Sequence, residues 1–451
     1  MVAVKKTVFL IFAIILACCM PARADEASLA ETVRQLQARI EVLEKKVAQQ
    51  DRHISEQNAT VSEQKGKITG YENQLSQFEE HLHRVPAAPM QLMEGLELGA
   101  GITMVVQGTD NVNDPTAGSI KKARTDGSYS ADITLGKEFK EAGGRAFLHL
   151  EGGQGDGLND NLALYSAVNS DADNEDRVHL TEVWYEQGLF NDKAALTVGK
   201  LDPTAYFDNN EAANDETTQF LGGLFLNNVN VGFPDNTAGI RLAYMPVEWL
   251  ELGYGIFDGN SDWEKLGDNL FNIGQVSFKT DFFGLPGNYR FLGWHSNVYH
   301  VKWSDPLEEK ESSYGWALSF DQKATDIITL FARYGWQTPE VYDPGAAVAG
   351  VNYSLEQSWS AGLQVEGKSW GREKDVLAFA VGQIFASDDY QKYAPARGKA
   401  EGHFEAYYKI QVNEHLALSP DFQYIWNPFG KDILTDTGGV FVGGLRAQVD
   451  F

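Results

Sequence analysis

Cysteine is almost missing from this chain of 451 residues: only Cys18 and Cys19 occur, both in an apolar segment near the N-terminus. If that segment is removed, no disulfide or thiol chemistry is available to the rest of the chain. Basic residues are also scarce, because 37 Lys and Arg stand against 63 Asp and Glu, and the formal net charge is -26. This acidity argues against nucleic acid as a partner, since phosphates repel a chain of this charge.

Long apolar runs are absent after the first 24 residues. No later segment approaches the run of about 20 apolar residues that a membrane helix needs. A chain this polar can still span a membrane as a β-barrel, because each strand then turns every second residue into a wet lumen.

The first 24 residues predict a secretory signal peptide. Lys5 and Lys6 precede an apolar run over residues 8–18, and Ala22-Arg23-Ala24 offers small residues at the two positions that a signal peptidase reads. The run is too short to span a bilayer as a mature helix. A lipoprotein signal, with acylation of Cys18, is the alternative.

A heptad repeat runs without interruption over residues 29–82. Every a position is Val, Ile or Leu, whereas three successive d positions are Gln50, Gln57 and Gln64. The repeat predicts a coiled-coil stalk over 25–85, with a length of roughly 80 Å, and the polar d positions leave its oligomeric state open. Two prolines begin a stiff linker over 86–94, because proline cannot continue the helix.

From residue 95 to 451 the pattern changes to alternation with a period of two. About 16 segments, such as 250–256 and 328–336, carry apolar side chains on one face, and many end in aromatic residues. The last segment ends at Phe451. We therefore predict an all-β fold, a 16-stranded antiparallel transmembrane barrel with long external loops and short periplasmic turns. A soluble β-sandwich or propeller explains the alternation but not the aromatic ends.

Three stretches of this region carry more specific motifs. Residues 180–187 read Leu-Thr-Glu-Val-Trp-Tyr-Glu-Gln and lead into 199–221, a Gly-Leu-Pro-Gly-Asn-Tyr-Arg turn covers 284–290, and the third stretch runs over 405–446. Together they resemble the carbohydrate-selective porin family OprB. The resemblance implies an outer-membrane barrel that passes small neutral sugars by diffusion, as a homotrimer. The stalk departs from the plain family pattern and resembles the periplasmic coiled coil in front of some sucrose porins.

Strand parity predicts which side chains face the lumen. Glu182, Trp184 and Glu186 share one face of a strand. A charge in lipid costs about 2 to 4 kcal/mol at mid-depth, and although carboxylates cost less, two of them on a lipid face are unfavourable. We therefore expect these three residues to face the lumen. The same rule predicts that further residues line the pore or form a wall network: Arg333, Glu405, Tyr407, Lys409 and Gln411.

The segment 202–233 is too polar and irregular for a strand. We expect it to fold into the lumen, with a simple external loop as the alternative. Its expected constriction residues are Asp202, Tyr206, Asp208, Asn214, Asp215 and Glu216. In a sugar path, aromatic faces stack on the ring and charged groups exchange hydrogen bonds with its hydroxyls.

We predict no cofactor, no metal site and no enzymatic activity. The acidic run made by Asp171, Asp173, Glu175 and Asp176 lacks the glycine that a calcium loop needs at its sixth position. Zinc motifs, phosphate loops and nucleophile elbows are missing, and the nine histidines show no evident Ser-His pair for a hydrolase. Alternative functions are a general or anion porin, or a tether that joins the outer membrane to peptidoglycan through the periplasmic stalk.

Overall fold

The computed structural model describes residues 45–46, 65, 95–114, 116, 122–172, 174, 176–431 and 438–451. The predicted signal peptide, nearly all of the coiled coil and the linker up to residue 94 lie outside these residues. Those three assignments therefore stay predictions, and the description below concerns the region from Gly95 onward.

Sixteen long strands and one short strand make up this region. Their bounds are β1 (Leu96–Thr109), β2 (Arg124–Phe139), β3 (Gly144–Gln154), β4 (His179–Leu189), β5 (Ala194–Leu201), β6 (Thr237–Val247), β7 (Leu250–Asp258), β8 (Leu270–Phe282), β9 (Leu285–Lys302), β10 (Asp305–Lys323), β11 (Ile328–Gln337), β12 (Val341–Tyr342), β13 (Leu355–Glu366), β14 (Val376–Ala386), β15 (Glu401–Gln411), β16 (Leu416–Trp426) and β17 (Val440–Asp450).

The strands form one closed antiparallel sheet. The first strand pairs with β2 on one side and with β17 on the other, so that Met104 lies opposite both Tyr129 and Ala447. The other long strands pair in sequence order, β11 pairs with β13, and the two-residue β12 pairs with β9. Closure leaves no free sheet edge, which a spanning β-structure requires. The predicted 16-stranded antiparallel barrel is confirmed.

Helices are short and lie in the connections. They are α1 (Gly223–Leu226), α2 (Asp388–Tyr393) and the 3-10 helices Asn159–Asn161, Pro203–Ala205, Gly367–Trp370, Pro395–Arg397 and Pro428–Gly430. Within the described residues, no helix has the length and apolar composition needed to cross a membrane.

The outer surface of the barrel is apolar. Val106, Ile133, Leu242 and Phe291 are about half exposed, whereas side chains of opposite parity, such as Thr103, are buried. This alternation is the one that a lipid-facing barrel needs, because the backbone of each strand is already paired and only its outward side chains meet the membrane.

Two long connections fold into the lumen and narrow it. We call residues 202–236, between β5 and β6, the inner loop, and residues 155–172, after β3, the companion loop. Leu158, Leu162 and Val168 of the companion loop pack in an apolar cluster with Ile425 and other wall residues. The inner loop carries α1, whose Phe225 is fully buried in a second apolar cluster. The lumen is therefore narrowed by packed loops with apolar cores of their own.

Candidate functional site

A buried ion pair attaches the inner loop to the barrel wall. The Nε atom of Arg333, on β11, lies 3.2 Å from Asp208 Oδ2, and these side chains are 1% and 0% exposed. Arg333 also donates hydrogen bonds to three loop carbonyls, those of Asp208, Ala213 and Phe225, at 2.7 to 3.0 Å. Because all three guanidinium nitrogens donate to the loop, Arg333 and Asp208 hold its path and have little surface left for a solute.

Glu405 anchors the same loop from β15. Its two carboxylate oxygens accept hydrogen bonds from the backbone N–H groups of Leu221 (2.6 Å) and Gly222 (2.9 Å), and its side chain is fully buried. A Cβ atom at Gly222 would lie 2.7 Å from Glu405 Oε2. Glycine is therefore needed here because the loop backbone approaches the carboxylate closely.

Further wall residues complete the attachment. Arg446 of β17 donates to the carbonyl of Glu216 at 2.7 Å, and Gln364 of β13 donates to the carbonyl of Ala212 at 2.8 Å. The wall on the other side contributes Gln275 of β8, whose Oε1 accepts from the N–H of Asp208 at 2.9 Å. The inner loop is thus folded into the lumen, as its composition predicts.

Aromatic and acidic side chains meet on β3 and β4. Trp184 stacks on Phe147 with 5.1 Å between ring centres and an interplanar angle of 29°. The Trp184 indole N–H donates to Glu182 Oε2 at 3.1 Å, and the backbone N–H of Asp202, at the start of the inner loop, donates to the same oxygen at 3.4 Å. Through these contacts, Glu182 and Trp184 lie beside the start of the inner loop.

Arg241 of β6 joins this group. Its NH1 lies 3.4 Å from Glu186 Oε2, and its guanidinium carbon lies 4.5 Å from the ring centre of Tyr206. The hydroxyl of Thr197 also donates to Glu186 Oε2, at 2.7 Å. We call Glu182, Trp184, Glu186, Asp202, Tyr206 and Arg241 the lumen cluster. Sequence reasoning missed Arg241, although its position between the outward-facing Ile240 and Leu242 follows the same parity rule.

The wall beside the lumen cluster carries a further acid and histidine group. His149 Nε2 lies 2.8 Å from Asp132 Oδ1, and His149 Nδ1 lies 3.8 Å from Glu182 Oε1. Within the described residues, the donor atoms of Asp132, His149 and Glu151 approach one another within 4.8 Å, a spacing that could hold a metal ion. The short contact between His149 and Asp132 also fits a hydrogen-bonded network of the barrel wall without a metal ion.

Asn214, Asp215 and Glu216 also lie in the inner loop. Asp215 accepts from the N–H of Thr217 at 2.8 Å and so caps its own turn, while Asn214 donates its N–H to Gln219 at 2.7 Å. Burial raises the pKa of Glu216 to about 8. Lys409 of β15 is half-buried and interacts electrostatically with Asp215.

Asp202 and Asp171 are also acids in loops. Asp202 caps the first 3-10 turn of the inner loop by accepting from Thr204 N at 2.8 Å, and burial raises its pKa above the ordinary range. Asp171 accepts a hydrogen bond from the hydroxyl of Ser130 at 2.8 Å, and burial raises its pKa to about 7. Asp173 and Glu175, from the same acidic run, lie outside the described residues.

Comparison with known proteins places the chain in a family. The model described as "Carbohydrate-selective porin, OprB family" matches residues 121–451. The chain belongs to this family. A solved structure of OprB from Pseudomonas putida at high pH has a TM-score of 0.68 at 18% identity and covers 81% of this chain and 96% of its own. That similarity supports the barrel fold of this OprB-family chain.

Curated relatives match a smaller share of the chain. Porin B of Pseudomonas aeruginosa is 22% identical over 325 residues, which cover 60% of this chain and 68% of that protein. Porin AaxA of Chlamydia trachomatis serovar L2 is 23% identical over 251 residues, or 54% of this chain. This OprB-family chain spans about half, 50%, of the length of that Chlamydia porin.

Proposed function

We propose that this chain is an outer-membrane porin through which small neutral sugars diffuse, with the lumen cluster lining the narrow part of the path. The observation that carries the proposal is the stacked pair of Trp184 and Phe147 with carboxylates and Arg241 at its edge. An aromatic face suits the apolar side of a sugar ring, and ionised groups form strong hydrogen bonds with hydroxyls. Diffusion through such a path requires no catalytic group.

The other predicted path residues divide into two groups by their surroundings. Asn214, Asp215, Glu216 and Lys409 are only partly buried, and we propose that they line the path opposite the lumen cluster. Asp208, Arg333 and Glu405 are fully buried in their contacts with the inner loop. We assign them the task of fixing the loop that shapes the path.

The test is ion current through the purified protein in a planar bilayer. D-glucose should reduce the current saturably, because a ring that occupies the narrow path displaces ions. Trp184→Ala should raise the half-blocking concentration about fivefold, since a stacking contact contributes on the order of 1 kcal/mol. Trp249→Ala is the matched control, because Trp249 is 56% exposed on the outer surface. A current that falls only with solution viscosity, for every sugar tried, would support a general porin instead.

The surroundings of the barrel follow from the same proposal. The apolar outer surface contacts outer-membrane lipid, and the barrels assemble as homotrimers, as the family resemblance implies. The heptad segment forms a periplasmic stalk that reaches peptidoglycan. Chemical crosslinking of the native protein followed by mass measurement tests the trimer, and a product no heavier than a monomer would contradict it.

A further inference from the structure

A second recess lies in the barrel outside the lumen cluster. It has a volume of about 250 Å³ and is formed by the inner loop, by β9 and β10, and by the connection that follows β11. Gly232 and Phe233 of the inner loop form one side, and Trp294 of β9 forms another. We call it the side cavity. Its volume is slightly below the range of roughly 300 to 1,000 Å³ typical of drug-sized ligands, which suits one sugar ring better than a chain of rings.

Two hydroxyls of the side cavity have no hydrogen-bond partner in the described part of the chain. Ser313 and Thr338 line it and are only 5% and 6% exposed. Neither side-chain hydroxyl forms a hydrogen bond with another residue in the part of the chain that the structure describes. Both hydroxyls are accessible from the cavity, so a ligand rich in hydroxyls can form hydrogen bonds with them in place of water.

The side cavity differs from the lumen cluster in its charge. Asp343 is the one carboxylate and His300 the one imidazole among the residues that line it, whereas the lumen cluster contains three carboxylates and a guanidinium. Phe233, Trp294, Tyr342 and Tyr353 supply aromatic surface. A charge-poor, aromatic site with free hydroxyls favours a neutral polyhydroxylated ring over an ion.

One apolar core packs against both the side cavity and the lumen cluster. Trp294 belongs to a cluster of buried residues on which Trp184 and Tyr206 of the lumen cluster also pack. Within it, Phe271 stacks on Trp294 with 5.9 Å between ring centres and contacts Phe257 at 6.4 Å. Phe257 and Phe271 are almost completely buried. They therefore separate the side cavity from the lumen cluster and offer no surface to a passing solute.

We propose that the side cavity is a second sugar-binding position, which takes one neutral pyranose ring. The proposal rests on the sugar-porin function proposed above and adds a site to it. Occupancy of the side cavity places a second ring in the barrel, whereas ions gain nothing from a site with so few charges.

Site-directed labelling in the full chain tests the side cavity independently of conduction. Ala346→Cys places a thiol on its exposed rim and leaves both hydroxyls intact. The rate of modification by a methanethiosulfonate reagent should fall saturably with D-glucose, by about tenfold at about ten times the half-protecting concentration. Sorbitol, an open-chain polyol, should protect much less. Ala142→Cys, in an exposed turn, is the control thiol, and unsubstituted protein gives the background.

Removal of the hydroxyls should weaken the protection. In the Ala346→Cys background, Thr338→Val keeps the side-chain shape and should raise the half-protecting concentration about fivefold, and Ser313→Ala should add to this. Ser419→Ala, at a buried position of β16, should change nothing. If glucose blocks the current but does not protect the thiol at position 346, the side cavity is not a sugar-binding position, and the porin proposal still stands. Protection without block would overturn the sugar-porin function and establish the cavity as a binding site only.

Discussion

Asp208 and Arg333 are 125 positions apart in the sequence, yet they form an ion pair with almost no solvent exposure. Asp208 lies in the inner loop and adopts a left-handed backbone conformation with φ of 61°. Aspartate tolerates this region better than most side chains do. The backbone N–H of Asp208 donates to Gln275 Oε1, and its carboxylate accepts a hydrogen bond from the N–H of Asn228. This network determines where the inner loop crosses the lumen.

Breaking the pair on one side should destabilise the barrel. Arg333→Met leaves the Asp208 carboxylate buried without its charge partner, and the expected loss is about 3 to 5 kcal/mol of unfolding free energy. Thermal unfolding followed by the loss of heat-modifiable gel mobility measures it. Asp208→Asn combined with Arg333→Met should recover part of the loss. A double variant as unstable as the sum of the two single variants would show that the charges are not coupled.

A methyl group at Gly222 should loosen the inner loop. In Gly222→Ala the new Cβ would lie 2.7 Å from Glu405 Oε2, so the two hydrogen bonds to that carboxylate must lengthen. We expect a larger single-channel conductance with more current noise, and a barrel that still assembles. Gly443→Ala is the matched control, because nothing lies within 4 Å of its Cβ position. Unchanged conductance and noise in Gly222→Ala would separate the loop from control of pore width.

Glu216 should make ion selectivity depend on pH. Desolvation raises its pKa to about 8, with Asp215, Asp171 and Asp202 adding to the shift. The side chain is therefore mostly neutral at about pH 6 and ionised at about pH 9.5, so a negative charge appears in the lumen as the pH rises. Reversal potentials in a salt gradient should shift toward cation selectivity across this interval. Glu216→Gln should reduce the step to the part that Asp171, with its pKa of about 7, contributes. Glu211→Gln, at an exposed position of the same loop, should leave the step unchanged.

Deletion of residues 25–85 should leave a folded, conducting barrel. The closed sheet satisfies its own backbone hydrogen bonds through the pairing of β1 with β17. Heat-modifiable mobility and single-channel conductance should therefore be preserved in the deletion variant. Co-sedimentation with peptidoglycan should decrease, because the predicted stalk is gone; unchanged co-sedimentation would remove the tether hypothesis.

Local sequence pattern accounts for the barrel and for one part of the site. Alternation with a period of two determines which side chains of a strand face lipid, so Glu182, Trp184 and Glu186 could be assigned to the lumen from parity alone. Arg241 obeys the same rule and was overlooked. The parity rule therefore identifies which residues of a strand face the lumen, but it does not show which of them matter for function.

The alternation pattern could not distinguish residues that line the path from residues that attach the inner loop to the wall. Arg333 and Lys409 both have lumen parity, yet Arg333 is buried under the inner loop while Lys409 keeps part of its surface exposed. The difference depends on the course of the loop, and this course is determined by contacts between residues far apart in the sequence. The hydroxyls of the side cavity also escaped notice. Ser313 and Thr338 come together through the pairing of β10 with β11, but the recess that they line forms only with the inner loop in place.

The attachment of the inner loop also has a mechanical consequence. Hydrogen bonds join the loop to β8, β11, β13, β15 and β17, so it acts as a cross-brace inside the cylinder. A cylinder braced in this way cannot become elliptical without stretching those bonds or moving the loop. Lateral pressure from the bilayer, which acts on the outer wall, is thereby transmitted to the narrowest part of the pore.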